Sequence, residues 1–446
     1  MKCSPHSGYR RLVRGVVPVL IIPIIPAFGP VSVVAAAVIG TNPPAQPLTV
    51  ERVAALPAKL QPAWKEYWER SERQRRADQD FLQKEMGEHG IKQALVPPSG
   101  RSTTSVPLNK PAPWYAEADA RRIADIVVSF QTPAGGWSKN LDLSRQPRVP
   151  GEGFAPDNNS RYLGRVDYDT PADSNWNYVG TFDNNATTSQ LRYLARVIAA
   201  VGPRDSGRYR AAFLRGLDYI LAAQYPNGGW PQVWPLQGGY HDAITYNDNA
   251  MVNVLNLLRD VSVATNEFAF VPGPTRELAT TSLQRGIDCI LATQIVVGGR
   301  RTVWCQQHDS LTLEPTSARN YEMPSQAGSE SAGILMFLMQ LPKPSPPVVG
   351  AVHAAAAWFV KTKISGRTYQ RDGNGSRRLA TVPGAGPLWA RCYEIGTARP
   401  IFGDRDRTIH DNLDEISPER RRGYAWYGDA ANRALERYAS WSKAHP

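Results

Sequence analysis

Apolar residues fall three and four apart over much of the chain, the spacing that lines one face of a helix. Leu191, Leu194 and Ile198 form one such stripe; Phe213, Leu217, Ile220 and Leu221 form another. The pattern predicts eight helices, over 116–131, 187–202, 208–224, 248–262, 276–294, 326–341, 347–363 and 426–441, separated by long loops. Strand signals are few, so an all-α fold is expected. Gly333 to Leu341 is apolar nearly all round, which predicts a central helix with others packed about it.

After alternate helices a short device recurs. It reads Gln131-Thr132-Pro133-Ala134-Gly135-Gly136-Trp137, then Gln224-Tyr225-Pro226-Asn227-Gly228-Gly229-Trp230, then a decayed copy from Gln294 to Arg300 with Gly298 and Gly299. Glycine permits the left-handed turn that stops a helix, and tryptophan covers the helix end. A ligand role for Trp137 or Trp230 is the alternative. Helix, GGW turn, long loop and helix in repetition are what a toroid of helical hairpins would show.

The first residues differ from the rest. Lys2, Arg10, Arg11 and Arg14 precede an apolar run from Val16 through Val38 that ends in small residues at Ala35, Ala36 and Ala37. This is the layout of an export signal, assigned to residues 1–38. Pro18, Pro23, Pro26 and Pro30 interrupt the run and argue against a permanent membrane span. Residues 39–111 are expected to be linker and an N-terminal helical lead-in, with Trp64, Tyr67, Trp68, Phe81 and Leu82 in a partial stripe; the main body is placed at 112–446.

Composition narrows the class. The chain has 446 residues, 42% hydrophobic and 20% charged, which excludes a disordered polyelectrolyte. The formal charge of +11 falls to about +7 without the four cations of the leader. Such a surface suits anionic partners without choosing among them. No run of basic residues with interleaved aromatics tracks a helix face, so nucleic acid is not the expected partner. Beyond Cys3, only Cys289, Cys305 and Cys392 remain, allowing at most one disulfide, and no histidine pair has zinc spacing.

The candidate chemistry sits in loops denser in polar residues than helix caps require. They are Gly136 to Asn140, Thr181 to Thr187 with Asp183-Asn184-Asn185, His241 to Met251 with Asn247-Asp248-Asn249, and Thr312 to Ser325. Asp and Asn offer hard oxygens of the kind that bind calcium, although they are also favoured N-caps. Arginines among aromatics, in Pro387 to Ile395 and Pro400 to Asp406, suit planar carboxylate recognition.

At these blocks the sequence resembles the family 10 polysaccharide lyases, the pectate lyases. The resemblance runs over roughly 112–430 and rests on GGWSKN, TFDNNAT, PNGGWPQVWPL, ITYNDNAM, QQHD with LEPTSARNYEMPS, PLWARCYEI, PIFGDRD and GYAWYG. Ser138 and Cys392 stand where the family usually has proline and an aromatic residue. The resemblance implies an (α/α) toroid that cleaves polygalacturonate by calcium-assisted anti β-elimination. It implies Ca2+ held by Asp183 and Asp248 with Asn184 as a third ligand, and Arg319 as the base. Lys139, Arg391 and Arg405 would grip substrate carboxylates, and Tyr321 or Trp137 would stack on sugar faces. A free guanidinium stays protonated above pH 12, so Arg319 can act as a base only if neighbouring cations disfavour its charge, and an alkaline optimum follows. A hydrolase using Asp183 with Glu314, or a non-catalytic binder of acidic polysaccharide, are the alternative readings. The protein is expected to be a monomer, secreted or periplasmic, with no stable membrane association.

Overall fold

The structure is a computed structural model and describes residues 37–100, 106–156, 175–264, 266–373 and 375–446. The expected export signal therefore falls almost wholly outside the described residues. The helices used below are α1 Val50–Ala54, α2 Gln61–Glu88, α3 Ala118–Ser129, α4 Thr188–Asp205, α5 Gly207–Ala223, α6 Ala250–Ser262, α7 Gly273–Thr293, α8 Gly328–Leu338, α9 Pro346–Thr362, α10 Pro418–Gly423 and α11 Ala430–Ala444. All eight helices expected from apolar spacing are present as α3 to α9 and α11.

They form two layers. Helices α4, α6, α8 and α11 are neighbours in one layer, α3, α5, α7 and α9 in the other, and the hairpins α4–α5, α6–α7 and α8–α9 join the layers. The protein is thus an all-α, (α/α) toroid. Helix α8 carries buried residues round most of its circumference because α6, α9 and α11 all pack on it. In their described residues, the long loops run from the ends of α3, α5, α7 and α9 to the starts of α4, α6, α8 and α11, so they gather at one end of the bundle.

The repeated Gln-to-Trp device is a clamp between successive hairpins. Gln131 Nε2 donates to Gly135 O (2.8 Å) and to Ala212 O (2.8 Å) in α5. Gln224 makes the same pair of bonds to Gly228 O and Ser282 O, and Gln294 to Thr302 O and Ala351 O. The indole N–H of Trp137 donates back to Val127 O (2.7 Å), that of Trp230 to Ile220 O (2.9 Å), and that of Trp304 to Ile290 O (2.7 Å). Trp304 is therefore the third copy's tryptophan, displaced by the hairpin Val296–Arg301. Helical glycines make room for these rings, since a Cβ on Gly216 would lie 2.9 Å from Trp137 and one on Gly286 2.9 Å from Trp230.

The segment expected to be linker and lead-in is built into the body. Leu48, Val53, Trp64 and Tyr67 belong to the same buried core as the toroid helices. The Tyr67 hydroxyl donates to Ala223 O (2.9 Å), and Leu236 N–H donates to the Ser71 hydroxyl (2.8 Å). Along α2, Trp64 and Tyr67 pack on Tyr225, and Leu82 joins Phe154, Trp176 and Tyr178, so residue 112 marks no boundary in packing. Cys289, Cys305 and Cys392 are buried free thiols.

Candidate active site

Each long loop delivers part of the site. The α3–α4 loop carries Lys139 and Asp183, the α5–α6 loop Asp248, the α7–α8 loop Arg319 and Tyr321, and the α9–α11 loop Arg391 and Arg405. Asp183 and Asp248 lie in matching turns, Thr181-Phe182-Asp183-Asn184-Asn185-Ala186 and Thr245-Tyr246-Asn247-Asp248-Asn249-Ala250, which pack against each other. Thr181 and Thr245 donate their N–H groups to the GGW carbonyls Trp137 O (2.9 Å) and Trp230 O (3.0 Å). Asn184, Asn185, Asp248 and Asn249 all have left-handed backbones, with φ between 50° and 62°. Asn and Asp tolerate that region best, and clustered strain of this kind collects at functional sites.

Charges of both signs meet here. Lys139 Nζ lies 2.6 Å from Asp183 Oδ2. Burial pushes the Asp183 carboxyl up, but the Lys139 ammonium, with help from Arg319, outweighs burial and holds it below the usual carboxylate range. Asp248 moves the other way, raised by burial and by the neighbouring Asp183 charge against the pull of Arg391. Arg391 Nη2 donates to Glu330 Oε1 (2.9 Å) and Asn247 Oδ1 (2.9 Å) and lies 3.8 Å from Asp248 Oδ1. Asn184 is exposed at the corner of its turn.

Arg319 is held by Glu322, with Nε 2.8 Å from Oε2 and Nη2 2.5 Å from Oε1. Glu322 is buried, and the Tyr424 hydroxyl donates to its Oε1 (2.8 Å). Burial raises the Glu322 carboxyl, yet Arg319 and Arg391 together bring it down to about 2. The same pairing raises Arg319 well above the ordinary guanidinium value, although burial opposes this. This corrects the sequence-based expectation: cations were expected to dominate around Arg319, but its nearest partner is a carboxylate that favours the charged form.

Two further expectations are corrected. Trp137 is fully buried as a hairpin clamp and presents no face to a sugar. Tyr321 is 2% exposed. Its ring is the post on which three guanidiniums rest, with Arg319 at 4.9 Å, Arg405 at 5.1 Å and Arg420 at 4.3 Å from the centroid. Arg405 reaches Glu419 as well (3.2 Å). Sequence reasoning assigned no role to Glu322, Glu330 or Arg420, and singled out Asn247 only as one of the hard oxygens of its loop. Glu322 was open to notice, standing three residues after Arg319.

Calcium fits the acidic side of this arrangement. Asp183 Oδ1 is buried without a hydrogen-bond partner, the charge on Asp248 is disfavoured by Asp183, and the donors are hard oxygens. Among the described residues no cluster of three His, Cys, Asp or Glu residues forms. The chain thus supplies two carboxylates, and the six to eight oxygens typical of calcium need amide oxygens, water or substrate to complete them.

Comparison with known proteins gives the class first. A family 10 polysaccharide lyase from Cellvibrio cellulosa has the same fold at a TM-score of 0.63 and 31% identity, over 76% of this chain and 98% of that one. A mutant of a family 10 polysaccharide lyase from Cellvibrio cellulosa, in complex with trigalacturonic acid, matches at 0.63 and 32% identity, over 74% of this chain and 95% of that one. The protein is an enzyme of the lyase class. The pectic acid lyase family profile matches residues 131–435, and the chain belongs to that family. No curated protein matches it.

Proposed function

We propose that the protein cleaves polygalacturonate by calcium-assisted anti β-elimination, leaving 4,5-unsaturated oligogalacturonides. The observation that carries this is the convergence of two neighbouring carboxylates, Asp183 and Asp248, with Lys139, Arg319 and Arg391. β-Elimination removes the C5 proton beside a carboxylate while the C4 oxygen departs, so negative charge grows on that carboxylate. Asp183 and Asp248 would hold calcium, which when bound would neutralise part of that charge. Arg391 and Lys139 supply charge-assisted donors to uronate carboxylates, and Arg405, beside the Tyr321 ring, extends this grip.

Arg319 is the group we assign to the C5 proton. Glu322 engages Nε and Nη2, which leaves Nη1 as the nitrogen we assign to the substrate. Because Glu322 favours the cation, the neutral base is scarce and the rate should climb with pH. The hydrolase alternative loses its acid, since Lys139 keeps Asp183 ionised and Glu314 is exposed. Among the described residues no helix is long and apolar enough to cross a membrane. A secreted or periplasmic monomer remains part of the proposal. Mass spectrometry of digested polygalacturonate tests the reaction: fragments lighter by one water than hydrolysis products support elimination, and a product set that is saturated throughout excludes it.

A further inference from the structure

Asn42 stands 277 residues before Arg319 and outside the segment that matches the family profile, yet its side chain is directed at the Arg319 turn. Its Nδ2 donates to the backbone carbonyls of Arg319 (3.0 Å), Asn320 (2.9 Å) and Glu322 (3.3 Å), and the residue is 1% exposed. The chain on either side is fixed. Gly40 and Thr41 pair with Ile409 and Thr408, Asn42 N–H donates to Arg407 O (2.8 Å), and the Ser317 hydroxyl donates to Pro43 O. From the other side, Asn320 Nδ2 donates to Arg405 O (2.7 Å). Residues 39–43 therefore lie between the loop bearing Arg319 and the loop bearing Arg405.

Three carbonyl oxygens converging on one point repel one another unless a donor sits among them, and here the environment is closed to bulk water. Within the turn, Glu322 N–H bonds Arg319 O (2.8 Å) and Ala318 N–H bonds Glu322 O (3.0 Å). Those bonds close the turn, whereas the Asn42 amide fixes it to the rest of the molecule. The same turn aims the Arg319 guanidinium, because Glu322 accepts from both the backbone N–H and the side chain of Arg319.

We propose that Asn42 is a positioning residue for the reaction: it orients the Arg319–Glu322 turn and sets its register against Arg405. This rests on Arg319 being the group that meets the C5 proton. A displacement near 1 Å at a reacting group costs on the order of 100-fold in rate, so a partial loss of this anchor should be visible.

The test compares wild type, Asn42→Ala, Asn42→Asp and Asn42→Ser on polygalacturonate, with kcat and KM measured from pH 7 to 10 and melting temperature recorded for each. Expected is a fall in kcat of roughly 10- to 100-fold in Asn42→Ala with KM changed little, and a smaller fall in Asn42→Ser, which keeps one donor. Asn42→Asp replaces the donor with a carboxylate facing three carbonyls, so its loss in kcat should be at least as large as that of Asn42→Ala. A lowered melting temperature with wild-type kcat in Asn42→Ser or Asn42→Ala would overturn the proposal, as would a loss confined to KM. If wild type itself forms no unsaturated product, the elimination reading fails instead, and the two failures are distinguished.

Discussion

Replacing Glu322 by Gln separates a base from a fixed cation at Arg319. The substitution keeps the shape and one acceptor for the bidentate pair and for the Tyr424 hydroxyl, while removing the charge that holds Arg319 protonated. Unit charges at about 4 Å interact by about 1 kcal/mol in water and about 4 kcal/mol at an effective dielectric near 20. Arg319 is one third exposed, so the lower half of that range applies, equivalent to a drop of roughly one to two pH units in its proton affinity. If Arg319 takes the C5 proton, the rising limb of kcat against pH should move to lower pH by that amount, even though turnover falls through looser orientation. Initial rates of unsaturated product from pH 7 to 11 provide the assay, with circular dichroism to verify the fold. A limb that stays in place in a folded variant would refute Arg319 as the proton acceptor and leave it as an electrostatic clamp.

Other outcomes follow from the same geometry. Arg319→Lys should lose orders of magnitude in kcat with little change in binding, because the charge is kept but the accepting nitrogen is displaced; retention of more than about a tenth of kcat would remove its catalytic role. Trp137→Ala should lower stability by about 3 to 5 kcal/mol in denaturant melts without raising KM in the folded fraction, since the ring clamps hairpins; a selective KM effect would restore it to the sugar site. Acid should destabilise the fold through His308, whose Nε2 accepts from Cys305 N–H (3.1 Å) and whose Nδ1 faces Leu313 O (2.8 Å). Burial brings its pKa down to about 4, so the unfolded chain takes up a proton below pH 6.5 while the native one does not. Stability should fall as pH drops from 6.5 through 4, by up to roughly 3 kcal/mol, and His308→Gln should flatten that slope.

Much of the fold was legible because helices announce themselves locally. Leu191, Leu194 and Ile198 need only three-and-four spacing to mark α4, and the Gln-to-Trp turns revealed the hairpin repeat. The third tryptophan escaped notice because the Val296–Arg301 hairpin moves Trp304 four residues further from its glutamine than in the first two copies. That the lead-in packs into the toroid core was not legible from spacing, because its partners, such as Ala223 for Tyr67, lie more than 150 residues away. At the site, residue types pointed to loops that the fold brings together, but not to exposure. Trp137 and Tyr321 look like sugar-stacking rings in sequence, and only packing shows one clamping a helix end and the other supporting three arginines. Glu322 and Asn42 act through contacts that spacing alone does not weigh: a buried carboxylate three residues on, and an amide 277 residues away.

The measurement that bears most directly on calcium-assisted elimination is a metal titration of chelator-treated enzyme, with polygalacturonate cleavage followed by the ultraviolet absorption of the new C4–C5 double bond. Calcium should restore saturable activity to the wild type. Asp183→Ala should keep its helical circular dichroism but regain little activity at any calcium concentration, and Asp248→Ala should behave likewise. Full activity in excess chelator, or wild-type calcium response in Asp183→Ala, would contradict the account.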